Sequence, residues 1–214
     1  VNAWPDDTGW PGPVTDEECM VTHWGREIPQ RMNVKNVNGN DAKCLIAYFS
    51  RPGNNYVNGT IVDLPAGNTE VIAKMIREMT GGDLFPIEAV HAYPADYTET
   101  TEVAQEELRA NARPDLTRHL ETPDSYAVIF LGYPNWWGTM PMPVFTFLEK
   151  YDPAGKTIVP FCTHEGSGLG RSVSDIRKIC PQSAVKEGLA VRGGDVKNAR
   201  DEVAGWLQDS GMRF

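Results

Sequence analysis

Apolar residues come in short unbroken runs separated by stretches in which they recur every three or four positions, and this alternation begins at Lys43. The runs predict buried strands and the longer-period stretches predict amphipathic helices. Cys44-Leu45-Ile46-Ala47-Tyr48-Phe49 is the first strand, and Val71, Ile72, Met75, Ile76 and Met79 then share one helical face that Gly81-Gly82 terminates. Leu84 to Val90 predicts a second strand, followed by a weakly amphipathic helix from Glu99 to Ala112 that Pro114 ends. Ala127-Val128-Ile129-Phe130-Leu131 is apolar at every position, as parallel strands covered on both faces are. Pro141 and Pro143 suit the first turn of a helix carrying Val144, Phe145, Phe147 and Leu148. Residues 157–162 read as a fourth strand, in which Pro160 argues for an edge position because it has no N–H for the ladder. Val173, Ile176 and Cys180 lie at helical spacing, Ala184 to Val191 is a fifth strand, and Val196, Ala199, Val203, Trp206 and Leu207 face one way on a last helix. Five strands alternating with five helices predict an α/β fold: a doubly wound, five-stranded parallel sheet in a three-layer αβα sandwich.

Residues 1–42 break the pattern, being rich in Pro, Gly, Asn and Asp with Trp4, Trp10 and Trp24 but no sustained period. They read as a leader segment ahead of one domain at 43–214, and the tryptophans suit a segment pinned to a surface better than a disordered tail. No apolar run is long enough to span a bilayer and the start lacks the features of a signal peptide, so a soluble protein is expected, cytoplasmic or exported after removal of a leader. The formal charge of −9 argues against nucleic acid as a partner and suits a basic redox partner or simple solubility. Cys19, Cys44, Cys162 and Cys180 have no metal-ligand spacing, and no metal is assigned.

In an open parallel sheet, ligands bind beyond the carboxyl ends of the strands where the strand order reverses, which singles out three loops. The first opens with Ser50-Arg51-Pro52-Gly53-Asn54-Asn55-Tyr56 and closes with Gly67-Asn68-Thr69-Glu70 at a helix start, where hydroxyls, amides and free N–H groups suit a phosphate. The plainer alternative is that Asn68 or Thr69 caps that helix. The second loop, Gly132-Tyr133-Pro134-Asn135-Trp136-Trp137-Gly138-Thr139-Met140, offers two indoles to a flat π-system, the alternative being a buried aromatic cluster or a protein-docking patch. The third, Thr163-His164-Glu165-Gly166-Ser167-Gly168-Leu169-Gly170-Arg171, has glycines that let backbone amides approach a ligand closely. Its spacing is neither a dinucleotide fingerprint nor a nucleophile elbow.

These three loops, in this order, resemble the flavodoxin family, specifically a branch with a lengthened phosphate loop. Gly67-Asn68-Thr69-Glu70 matches the family's phosphate motif, set apart from Ser50 by an insertion from about Arg51 to Ala66. Trp137-Gly138 matches the aromatic-glycine pair that flanks the isoalloxazine near its N5, and the stretch from Thr163 to Gly168 matches the second flavin loop. The resemblance covers about residues 43–210 and implies one FMN bound non-covalently. The residues it implies for the site are Ser50, Arg51, Asn54, Asn68, Thr69, Pro134, Asn135, Trp136, Trp137, Gly138, Thr163, His164, Glu165, Gly166, Ser167 and Gly168. Two redox uses follow: electron transfer to a partner protein, or reduction of a small acceptor such as a quinone in a pocket framed by Tyr56, Tyr93 and Tyr97. A flavin-free interaction module of the same fold is the alternative. A hydrolase built on Ser167 or Cys162 with His164 is disfavoured, because all three fall in one short stretch.

Overall fold

The computed structural model describes residues 43–211, so the leader reading of residues 1–42, with its tryptophans and Cys19, lies outside the described residues. The elements run β1 (Cys44–Tyr48), β2 (Gly53–Val57), β3 (Thr60–Leu64), α1 (Asn68–Thr80), β4 (Asp83–Pro86), α2 (Tyr97–Ala110), β5 (Val128–Pro134), α3 (Met142–Tyr151), β6 (Thr157–His164), α4 (Ser172–Ile179), β7 (Ala184–Val185), β8 (Leu189–Arg192) and α5 (Arg200–Asp209). The main sheet is parallel throughout, in the order β4-β1-β5-β6, with β7 and then β8 sharing the outer edge of β6. Its five positions are those read from the sequence, the fifth strand being broken at residues 186–188.

Strand periodicity divides the core into two layers. On one face Cys44, Ile46 and Tyr48 of β1 pack with Ile72 and Ile76 of α1 and Val203 and Leu207 of α5. On the other, Leu45 and Ala47 pack with Ile129 and Leu131 of β5, Phe147 and Leu148 of α3, and Ile176 of α4. Gly81 ends α1 in the left-handed conformation, its N–H returning to the Arg77 carbonyl.

Several boundaries differ from the sequence reading. The second strand stops at Pro86, and the second helix ends at a left-handed Asn111 before Pro114 is reached. Gly132, Tyr133 and Pro134 continue β5, so the loop after it starts at Asn135. The insertion after β1 is an antiparallel hairpin, β2-β3, joined by Asn58-Gly59 with both residues at positive φ.

Pro160 sits inside β6, an interior strand, contrary to the expected edge position. Ile158 accepts the Lys186 N–H across the outer edge of β6, and backbone groups two residues on point the same way. The missing donor of Pro160 therefore faces the break between β7 and β8, where no ladder bond is forfeited.

Gly132 pairs with Phe161 across β5 and β6, and a β-carbon there would overlap the fully buried Phe161 ring. Gly132→Ala is expected to lower unfolding stability by about 1–3 kcal/mol through overpacking. Urea denaturation measures this, and an unchanged midpoint would contradict the packing described.

Candidate functional site

A cavity of about 420 Å³ opens beyond the carboxyl ends of β1, β5 and β6, within the size range of sites for one drug-sized ligand. Its wall begins where β1 gives way to the hairpin. The side-chain Oγ of Ser50 accepts the Glu70 N–H at 3.1 Å, while Gly67 lies so close to Ser50 and Arg51 that a β-carbon would collide with both. The chain thus leaves for the hairpin and returns through one tight neck. Neither Asn68 nor Thr69 caps α1: Gly67 is the N-cap without a side-chain bond, and the hydroxyl of Thr69 pairs with that of Thr163 at 2.8 Å. Among the described residues, the Asn68 and Thr69 amides at the positive end of α1 have no protein acceptor.

Arg51 also lines this end of the cavity. Its guanidinium donates to the carbonyls of Pro94 at 3.1 Å, Ala95 at 3.2 Å and Asn54, yet its Nε is buried with no partner. Burial draws its pKa below the ordinary guanidinium value, an effect that Asp96 and Tyr97 oppose. A half-buried cation that lines the same cavity as unpaired helix-start amides is complementary to an anion.

The loop after β5 is a two-residue turn. Trp136 and Thr139 exchange backbone hydrogen bonds, and Trp137 and Gly138 between them have φ of 53° and 83°. Positive φ at a tryptophan is strained backbone, of the kind that persists where the surroundings hold it. Here Trp137 is 48% exposed and its Nε1–H donates to the Thr101 carbonyl of α2 at 3.0 Å. Trp136 is wedged edge-on between Phe49 and Tyr93, with centroids 5.2 and 5.1 Å away. The two indoles therefore differ: one is set in the core margin and the other stands at the cavity mouth.

Asn135 binds the two flavin-loop candidates together. Its N–H donates to the Thr163 carbonyl, its side-chain amide donates to the Gly168 carbonyl at 2.8 Å, and its Oδ1 accepts the Gly138 N–H at 3.0 Å. The Gly138 carbonyl accepts the Arg171 N–H, which leaves no room for a β-carbon at Gly170. In the third loop, His164 accepts the Gly166 N–H on Nδ1 at 2.8 Å. Cys162 is buried and burial pushes its thiol up to about 12, so it is no nucleophile at neutral pH.

Of the residues expected from the sequence, Ser50, Arg51, Asn68, Thr69, Pro134, Asn135, Trp136, Trp137, Thr163, His164 and Glu165 meet on this wall. Asn54, Gly138, Gly166, Ser167 and Gly168 do not. Asn54 faces Arg51 only through its carbonyl, both polar backbone groups of Gly138 are engaged behind the turn, and Gly166 and Ser167 are exposed beyond the rim. Tyr56 and Tyr97 frame the cavity and stack on each other at 6.0 Å, whereas Tyr93 lies behind Trp136 with its hydroxyl donating to Glu107 at 2.6 Å. The residues missed are Asn55, Thr100, Thr101, Ala104 and Gly193. For Thr100, Thr101 and Ala104 a signal existed: they follow Tyr97 at helical spacing, and α2 is weakly amphipathic because part of its inner face borders a cavity.

No helix among the described residues is long and apolar enough to cross a membrane. No curated protein is similar enough to match the chain. Among solved structures, a candidate flavoprotein of Bacteroides eggerthii DSM 20697 is 29% identical, with a TM-score of 0.66 over 80% of this chain and 99% of that one. Another from Bacteroides uniformis ATCC 8492 is 26% identical, with a TM-score of 0.61 over 78% and 98%. A flavoprotein of Lactobacillus acidophilus NCFM, solved in complex with FMN, is 21% identical with a TM-score of 0.52 over 76% and 99%, a likeness of fold. The flavodoxin profile matches residues 43–210, nearly the whole of the sheet domain described above. The chain belongs to the flavodoxin family.

Proposed function

We propose that this chain binds one FMN non-covalently in the cavity and uses it for redox chemistry, as electron transfer to a partner or as reduction of a small acceptor such as a quinone. The observation that carries the reading is that the cationic Arg51 and the acceptor-free amides of Asn68 and Thr69 line one cavity together with the exposed indole of Trp137. A ligand with a dianionic end and a planar aromatic end answers both. The Thr69 and Thr163 hydroxyls use one of their two hydrogens on each other, which leaves one for a phosphate oxygen.

Bound FMN supplies one- and two-electron transfer through its ring system. The protein's part is to hold the phosphate at the α1 start, to hold the ring face against Trp137 and its edge against the third loop, and to wall one side with Tyr97, Thr100, Thr101 and Ala104 of α2. That wall, with Tyr56 stacked on its Tyr97, suits a small flat acceptor.

The purified protein is expected to take up FMN with a visible flavin spectrum and strongly quenched fluorescence. FMN is expected to bind about 10–100-fold more tightly than riboflavin, from charge-assisted contacts of roughly 1.5–3 kcal/mol. Arg51→Gln should remove most of that ratio while leaving riboflavin affinity nearly unchanged. Equal affinities for the two ligands in wild type would overturn the phosphate site, and a protein that stays colourless with FMN would favour the flavin-free module.

Trp137, rather than Trp136, is expected to stack on the ring, because its face is free while Trp136 is enclosed by Phe49 and Tyr93. Trp137→Ala should weaken FMN by about 0.5–1.5 kcal/mol and restore part of its fluorescence. Trp136→Ala should chiefly lower thermal stability. Fluorescence titration and melting curves of both variants check this, and an unaltered quench in Trp137→Ala would contradict it.

A further inference from the structure

The β2-β3 hairpin leaves one edge of its two-stranded sheet without a neighbour. Asn58 and Gly59, at φ of 50° and 90°, form a two-residue turn, which makes Val57 and Thr60 the first pair to exchange ladder hydrogen bonds. Alternation then turns the backbone groups of Val62 and Leu64 inward to β2 and those of Ile61 and Asp63 outward. β2 shows the same phase, since the outward carbonyl of Asn54 accepts the Arg51 guanidinium. β3 pairs with β2 alone, and among the described residues the N–H and C=O groups of Ile61 and Asp63 meet no backbone partner.

This edge carries none of the usual guards against strand pairing. β3 has no Pro, no Lys and no bulge, four of its five residues are exposed, and Ile61 and Val62 stand 50% and 38% exposed. In a chain of formal charge −9, residues 53–64 hold one charged side chain, Asp63. The hairpin is held at both ends, by Arg51 at its base and at its tip, where the Asn58 N–H donates to Glu165 at 3.0 Å. The open edge is therefore presented in a set position.

We propose that the outer edge of β3 pairs antiparallel with β3 of a second copy of this chain, joining two hairpins into one four-stranded sheet about a two-fold axis at Val62. Two outward residues spaced by two are the self-complementary unit that such an axis needs. Ile61 of each copy exchanges hydrogen bonds with Asp63 of the other, which satisfies every outward group of both edges. Val62 lies opposite Val62 and covers exposed apolar surface, while each Asp63 lies opposite an isoleucine. A register centred on Asp63 would set two carboxylates face to face, and one centred on Ile61 would put Asp63 opposite Gly59, in the turn. A contact of one strand per copy is small, so the dimer is weak and depends on concentration. The pairing bears on the site because β2 brings Asn55 and Tyr56 to the cavity wall. Two strands alone are marginal in water, and four hold those residues more firmly. Pairing and flavin uptake then favour each other, a consequence that rests on the FMN reading although the pairing itself does not.

Sedimentation velocity of the full chain, from about 1 μM to about 1 mM, is expected to show a monomer passing reversibly into a dimer. Ile61→Pro removes an outward N–H and leaves the β2 ladder whole, so it should keep the chain monomeric throughout. Ile61→Thr keeps that N–H while shedding apolar surface, and it should still dimerise. Val62→Cys should give a disulfide-linked dimer under an azo oxidant such as diamide, which takes two hydrogens from the paired thiols and becomes a hydrazine. Opposed residues of a non-hydrogen-bonded pair stand about 4.5 Å apart at their α-carbons, within the reach of a disulfide. Thr60→Cys, opposite Leu64, should not crosslink, and wild type treated alike sets the background from the native cysteines. A wild type that is monomeric at every concentration would overturn the pairing. So would a dimer that survives Ile61→Pro, one lost equally in Ile61→Thr, or crosslinking of Thr60→Cys as readily as of Val62→Cys. Ile61→Pro is also expected to bind FMN several-fold more weakly than wild type at high protein concentration. A dimer that passes these tests but takes up no flavin would overturn the FMN reading and leave the pairing intact.

Discussion

The site depends on one close approach: Gly67 against Ser50, where the absence of a β-carbon lets the chain re-enter α1 directly beside the point at which it left β1. Because that neck is closed, the hairpin can be inserted between strand and helix without moving the helix start from the sheet end. Ser50 then satisfies the Glu70 N–H, so the amides of Asn68 and Thr69 ahead of it are left facing the cavity. Arg51, the first residue of the insertion, adds a positive charge at the same end. A side chain at position 67 would push Ser50 and Arg51 away from α1 and take apart the whole anion-complementary corner.

The rest of the wall is fixed by bonds between loops rather than within them. Thr69 of α1 meets Thr163 of β6, Asn135 spans from the β5 loop to the third loop, and Trp137 is tied to α2 through Thr101. Groups held in this way are preorganised, so a ligand does not have to order them on binding. The cost shows in the backbone at Trp137, whose left-handed conformation is of a kind that costs roughly 1–3 kcal/mol for a residue that is not glycine. That cost places an indole at the cavity mouth, where burial of the side chain in the core would not.

Much of the fold was legible because its signals are local. Continuous apolar runs at 44–49 and 127–131 are what doubly covered strands require, and Gly81 stopped α1 as its conformation demands. The three loops were legible because turn chemistry and aromatic residues are unusual where helix or strand periodicity ends. What escaped was non-local. Pro160 fits an interior strand only because β7 and β8 break opposite it, and that break is a property of a segment some 26 residues away, at 186–188. The hairpin in the insertion went unread, and the surface that meets its tip, at Glu165 and Gly194, comes from the far end of the sheet. Tyr93 looked like a pocket residue by position, yet its hydroxyl is taken by Glu107 and its ring by Phe49 and Trp136. On that loop alone, capping of α1 by Asn68 or Thr69 was the plainer reading of the sequence, and the bonds of Ser50 and Thr163 set it aside.

The phosphorus resonance of bound FMN reports directly on the proposed phosphate corner formed by Arg51, Asn68 and Thr69. A free phosphomonoester takes up a proton with a pKa near ~6. Against a half-buried guanidinium and the positive end of α1, the dianion is stabilised and that pKa falls. The 31P shift of bound FMN is expected to stay constant from about pH 8 down to about pH 5, while free FMN in the same sample titrates. A bound resonance that titrates with the same midpoint as the free ligand would contradict it.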